Sequence, residues 1–245
     1  MSTFEAKNIT KKCGDRTVLD GISFSIEEKG VYAILGKKAS GKTVLADILA
    51  GCSHIDDGEF IYRDVSVYSN SKNNRLAKLK IGYVSQEMHF FSDMTVFEIL
   101  DFAGKLRRVQ ADKRIRQIKE ALEIVGLSDK YEVFVGELSL SEKKRLSLAH
   151  ALIGNPSLII FDEPTANIAL DDADLIKDVI MMLGDKKIII LLTDKVRLVQ
   201  SVATNVGILS NGELKLWESM DSLRARYDGD DNFLVKTFST FSCEN

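Results

Sequence analysis

The sequence predicts an α/β protein with a parallel core sheet, and two observations point there. Apolar, β-rich runs at 22–26, 31–35, 81–84, 158–161 and 188–192 alternate with helical stretches. Runs that are apolar throughout suit strands covered on both faces, as parallel strands are. Between 87 and 153 the strand signal disappears, and Ile115, Ile118, Leu122 and Val125 recur at the spacing of one helical face. That interval is expected to be a helical subdomain inserted into a single domain spanning 1–245. Near the end, apolar runs at 206–209 and 214–217 flank Asn211-Gly212, a pair that tolerates the positive φ of a tight hairpin. A last helix is expected over 220–226.

Composition narrows the function. With 45% hydrophobic residues, 28% charged and two prolines, the chain is an ordinary globular protein with material for a sizeable core. A net charge of -3 gives no basic face, so no nucleic-acid partner is expected. Cys13, Cys52 and Cys243 are odd in number and lack CxxC spacing, which predicts free thiols in a reducing compartment. His54, His89 and His150 lack metal-ligand spacing, so no zinc site is expected. No apolar run approaches the roughly 20 residues of a membrane helix. The chain is expected to be soluble and to meet a membrane only through a partner.

The strongest chemical signal is Gly36-Lys37-Lys38-Ala39-Ser40-Gly41-Lys42-Thr43, which satisfies GxxxxGK[ST] after a strand and before a helical run that Val44 continues. Glycines let backbone N–H groups turn toward phosphate oxygens, and the following helix adds its positive end. Lys42 would neutralise the β- and γ-phosphates, and Thr43 would ligate Mg²⁺. A glycine-rich turn that binds nothing is the bland alternative, and the flanking strand and helix speak against it. A second signal is the apolar strand that ends in Asp162-Glu163. Strand carboxyl ends face the ligand crevice in such sheets. Asp162 suits the Mg²⁺ shell, and Glu163 could orient the attacking water or accept its proton. Acidic pairs at strand ends are common as surface charge, but a P-loop in the same chain favours the functional reading. ATP and Mg²⁺ are the implied cofactors of a P-loop NTPase.

Further segments carry a family resemblance. Ile81-Gly82-Tyr83-Val84-Ser85-Gln86 resembles a Q-loop, 138–152 has the register of the LSGGQ signature and its helix, and 188–194 resembles the strand leading to a switch residue. Their order and spacing resemble the nucleotide-binding domain of ABC transporters over nearly the whole chain. The resemblance implies a RecA-like parallel core with an antiparallel β subdomain. It also implies ATP held between two subunits, alike or different, that work on transmembrane permease subunits at the inner face of the cell membrane. On this resemblance Gln86 reaches Mg²⁺, Ser139 and Ser141 contact nucleotide across the dimer, and Asp194 stands at the switch position. The segment 88–98, with Phe90, Phe91 and Val96, matches the region that docks on the membrane subunit, although each of the three could equally be core. A short stretch at 222–227 resembles subunits that energise export-type permeases.

The departures from the family pattern each remove a piece of chemistry. Leu140 and Ser141 occupy the two signature glycine positions and Glu142 the glutamine, so close backbone approach to a phosphate is hindered. Asp194 replaces a histidine, Cys13 an adenine-stacking aromatic, and Ala169 the D-loop aspartate, with Asp171 two residues later. Ala39 in place of a loop glycine is a milder change. Ser139 and Glu142 also read as a helix capping box, which is compatible with either role. Lys37, Lys38, Lys143 and Lys144 read as a solvated face, with no role assigned to the pairs as such. Two functions remain in view: an ATPase that drives transport, and a regulatory or impaired nucleotide binder, possible as one half of an asymmetric heterodimer. A non-transport ABC ATPase is the further alternative.

Overall fold

The computed structural model describes residues 4–227 and 230–242, so Cys243 lies outside the described residues. The chain opens with β1 (Phe4–Cys13), β2 (Arg16–Ile26) and β3 (Gly30–Leu35), which leads into α1 (Lys42–Leu49). β4 (Asp57–Tyr62), β5 (Val65–Ser66) and α2 (Ser71–Lys78) precede β6 (Ile81–Val84). Then follow α3 (Val96–Leu106), α4 (Ala111–Ile124), two short 3₁₀ turns and α5 (Leu140–Leu152), before β7 (Leu158–Asp162). α6 (Leu170–Gly184), β8 (Ile188–Thr193), α7 (Val196–Val202), β9 (Asn205–Ser210), β10 (Glu213–Ser219), α8 (Met220–Ala225) and α9 (Phe233–Ser242) come last.

Six strands form the main sheet in the order β10-β9-β3-β8-β7-β6, all parallel except the edge strand β10. Period-two alternation divides their side chains between two cores. Val31, Ala33 and Leu35 face one cluster with Ile159, Phe161, Ile189 and Leu191, while Tyr32 and Ile34 face the other with Leu158 and Ile160. The first cluster is closed by α3 to α9, the second by α1 and the smaller sheet. Register pairs Leu35 with Thr193 and Asp162 with Leu192, so the loop after β3 and the residues after β7 and β8 share one carboxyl edge. The turn between β9 and β10 is built on Asn211 at φ 50° and Gly212 at φ 81°, as the hairpin pair requires. A Cβ on Gly212 would also lie 2.5 Å from the Val18 carbonyl oxygen, so the site excludes side chains sterically.

The second sheet, β2-β1-β4-β5, is antiparallel. It corrects the expectation for 22–26: that run belongs to β2, where Ile22, Phe24 and Ile26 are buried and Ser23 and Ser25 exposed. Its side chains alternate as those of a half-buried antiparallel strand do, and are not apolar throughout.

Between β6 and β7 the regular elements among the described residues are helices, apart from one bridge between Thr95 and Phe134. The start of α3 is fixed by a capping box in which Glu98 N–H donates to Thr95 Oγ1 at 3.2 Å and Thr95 N–H to Glu98 Oε2 at 2.8 Å. On α4, Ile118 and Leu122 are buried, as is Val125 just beyond its end. Ile115 is 45% exposed, against expectation, because burial on that face begins one turn later. Val96 is core, Phe90 packs edge-on to His150, and Phe91 is 66% exposed. The helix expected over 220–226 is α8, and α9 beyond it was not anticipated. No helix of the described residues is long and apolar enough to cross a membrane.

Candidate functional site

The loop between β3 and α1 turns tightly where Gly36 and Gly41 carry no Cβ. A Cβ on Gly36 would sit 2.4 Å from Ser40 Oγ and 2.9 Å from the Leu209 carbonyl oxygen. Gly41 has φ 103°, and a Cβ there would meet Leu19 Cδ2 at 2.8 Å. Ala39 adopts φ 65°, a left-handed conformation that costs a residue bearing a Cβ about 1–2 kcal/mol. Its change from glycine is therefore less mild than its size suggested. Gly41 stands at the N-cap of α1, where no side chain caps the helix, which leaves the positive helix end to an anion.

Lys42 lies across this loop. Its Nζ donates to the carbonyls of Gly36 at 2.8 Å and Lys37 at 3.0 Å, and it stands 3.4 Å from Glu163 Oε1. Glu163 follows β7 in a left-handed turn at φ 47°, unusual for a side chain of its size. Such an outlier persists only where its surroundings hold it. Here Glu163 N–H donates to the Leu192 carbonyl at 2.9 Å and Thr193 Oγ1 donates to Glu163 Oε2 at 2.8 Å. The carboxylate is thus aimed from both oxygens.

Asp162, the last residue of β7, is fully buried, and neither of its carboxylate oxygens has a hydrogen-bond partner of good geometry. Burial pushes its carboxyl up to about 6, against the neighbouring Thr43 hydroxyl, which favours the charged form. Two orphaned buried oxygens beside a hydroxyl fit a divalent cation, which takes oxygen ligands.

A cleft of about 820 Å³ opens over these groups. Lys38, Ala39, Gly41, Lys42, Thr43 and Val44 line it from the loop and its helix, joined by Gln86, Glu163 and Asp194. Gly36, Lys37 and Ser40 shape the loop without lining the cleft. Ser139 and Ser141 do not line it: Ser139 caps α5, accepting from Glu142 N–H at 3.2 Å while its own N–H donates to Glu142 Oε2 at 2.8 Å. Cys13 does not line it either, but Arg16, its antiparallel partner, and Val18 do. Lys195 also lines the cleft beside Asp194, its Nζ donating to the Thr165 carbonyl and its N–H to Thr193 Oγ1 at 3.2 Å. Arg16, Val18, Thr193 and Lys195 escaped motif reading. The one available signal was their adjacency to Cys13 and Asp194.

A glycine-bearing loop at the carboxyl edge of a parallel sheet, with its lysine reaching a strand-end carboxylate, places the molecule among the P-loop NTPases. The family model for the ABC transporter matches residues 19–166. The linearmycin resistance ATP-binding protein LnrL of Bacillus subtilis (strain 168) is 30% identical over 231 residues, which cover 92% of this chain and 72% of that protein. The methionine import ATP-binding protein MetN of Rhizobium johnstonii is 29% identical over 234 residues, covering 91% of this chain and 63% of that one. Among solved structures, an ATP binding subunit of an ABC transporter matches with a TM-score of 0.84 at 18% identity, covering 96% of this chain and 99% of that chain. The dimeric MJ0796 cassette bound to ADP and Pi matches with a TM-score of 0.80 at 21% identity, covering 89% and 98%. The structural likenesses bear on the fold. This chain belongs to the ABC transporter family, as a nucleotide-binding domain.

Proposed function

We propose that the chain binds MgATP in this cleft and hydrolyses it, as the ATP-binding subunit of a transporter whose membrane-spanning part lies in separate subunits. The observation that carries this reading is the pair Lys42 and Glu163, 3.4 Å apart beside the buried, unpartnered Asp162. Gly36 to Val44 cradle the phosphates through backbone N–H groups and the α1 terminus, and Lys42 neutralises the β- and γ-phosphates. Thr43, Asp162 and Gln86 would hold Mg²⁺, which would supply positive charge to stabilise the phosphate oxygens. Glu163, held by Thr193, orients the attacking water or takes its proton. Arg16 and Val18 supply the face for the base that Cys13 cannot, since a guanidinium plane stacks on aromatic rings.

Ser139 and Ser141 act on a second subunit's nucleotide, because they stand away from this chain's own cleft. The helical interval 87–153 forms the inserted subdomain, and exposed Phe91 marks where it meets a permease subunit on the cytoplasmic side of the membrane. The direction of transport belongs to that permease; the relatives are named for resistance and for import alike.

Steady-state ATPase activity with Mg²⁺, beside Lys42→Ala and Glu163→Gln, tests the proposal. Both substitutions should lower kcat by about a hundredfold or more, the range of a removed transition-state contact, with Glu163→Gln still binding ATP. Full turnover in Glu163→Gln would defeat the assignment. A second reading, nucleotide binding without turnover, draws on Asp194 in the cleft and on exposed Leu140 in the signature. Tight binding by a wild-type chain that does not turn over would decide for it.

A further inference from the structure

Four charged side chains are buried among the described residues: Lys42 at 7% exposure, Lys144 at 3%, Asp162 at 0% and Glu163 at 8%. Two cations and two carboxylates balance, as charges withdrawn from water must. Lys42 and Glu163 line the cleft, and Asp162 precedes Glu163 at the end of β7. The fourth, Lys144, sits on α5 and does not line the cleft, and the expectation of a solvated lysine face is wrong for this residue.

The Lys144 ammonium crosses from α5 to the chain just beyond β6. It donates to the Gln86 carbonyl at 2.7 Å and reaches the Ser85 carbonyl at 3.5 Å. Burial disfavours its charge, while Asp162 and Glu163 lie near enough to favour it. The carbonyls are its direct partners and the two carboxylates its field. Gln86 is itself exposed, on a connection with no regular structure, and its side chain lines the cleft. An exposed connection of this kind keeps one position only where its backbone is tied. α5 is firmly placed at its start by the Ser139 and Glu142 box, and Lys144 lies two residues after Glu142.

We propose that Lys144 is the positioning residue for Gln86. By holding the Gln86 carbonyl against α5, it sets where the Gln86 side chain meets the cleft and joins it to the helix that begins with the signature residues. This inference rests on the reading that the cleft binds MgATP. Lys144 carries no motif signal because its partners are backbone atoms 58 and 59 residues away in sequence.

Two variants separate the bond from the charge: Lys144→Met removes both, and Lys144→Gln keeps a donor without the charge. Hydrogen–deuterium exchange on the nucleotide-free chain reads the position of 85–91 independently of turnover. In Lys144→Met, exchange there should quicken by about fivefold or more with 36–43 unchanged, while Lys144→Gln stays within about twofold of wild type. With nucleotide, kcat of Lys144→Met should fall by about tenfold at an ATP affinity within about threefold of wild type, the loss of a group aligned for the transition state. Unchanged exchange at 85–91 in Lys144→Met, exchange raised across the whole sheet, or Lys144→Gln as fast as Lys144→Met would each overturn the proposal. A wild-type chain without turnover would defeat the hydrolytic reading of the cleft and leave the exchange result to decide for Lys144.

Discussion

Thr193 donates its hydroxyl to Glu163 Oε2 at 2.8 Å, a bond between the last residue of β8 and the residue that follows β7. With Lys42 on the other oxygen, it fixes a carboxylate whose backbone is already in the left-handed region. Thr193→Val keeps the shape and removes the donor. The loss of one buried hydrogen bond to a charged group, about 1.5–3 kcal/mol, should lower kcat roughly ten- to a hundredfold if it is felt in the transition state. ATP affinity should stay within about threefold, since the Thr193 hydroxyl donates to Glu163, while the backbone carbonyl that accepts from Gly36 N–H is kept in the variant. Parallel kcat and equilibrium-binding measurements check the split.

Asp162 gives the chain a pH signature. Its carboxyl, ordinarily near 3.9, is raised to about 6 by burial. Between those values the folded chain holds a proton that the unfolded chain has lost, so the stabilisation is full below about pH 4 and is lost as pH rises through 6. Without Mg²⁺, wild type should lose about 2–3 kcal/mol more than Asp162→Asn between pH 4 and pH 7, at 1.36 kcal/mol per unit. Urea unfolding at both pH values measures the difference. Parallel pH dependence in the two proteins would contradict the account of Asp162.

Asp194 lines the cleft where a phosphate would meet its negative charge. Asp194→Asn should tighten ATP binding by about five- to tenfold, the effect of removing roughly 1 kcal/mol of repulsion across a partly solvated gap. Titration with a fluorescent ATP analogue reads it. Unchanged affinity would mean that Lys195, which lines the cleft beside it, already compensates the charge.

In the signature, α5 begins at Leu140, half-exposed, with Ser141 behind it. Replacing both with glycine should lower stability by about 0.5–1 kcal/mol each, because glycine weakens a helical turn. If two subunits pair as proposed, it should also raise turnover, because the backbone could then approach the second subunit's phosphate. Thermal unfolding beside ATPase activity tests the pair of effects, and lower stability with no gain in turnover would count against it.

Much of the fold was legible where the chemistry is local. The runs at 31–35, 158–161 and 188–192 are apolar at every position because both faces of those strands are covered. The stretch 22–26 misled because its serines are small, and a period-two pattern passed for a continuous one. Helix α9 has several β-branched and aromatic residues with modest helix propensity; it is held by burying Phe233 and Leu234 against its neighbours, which no local pattern displays. The site divides the same way. Residues 36–43 and Asp162-Glu163 could be found because they are consecutive. Thr193, Lys144 and Arg16 meet the site only once the sheets and α5 are in place.

Calorimetric titration of ATP, with Mg²⁺, into wild type and Lys42→Ala tests most directly whether this cleft is built around phosphate. Lys42 is the buried cation that joins the loop carbonyls to Glu163. Its loss should weaken binding by about tenfold or more, the weight of a charge-assisted contact to phosphate. Equal affinity in the two proteins would contradict the account.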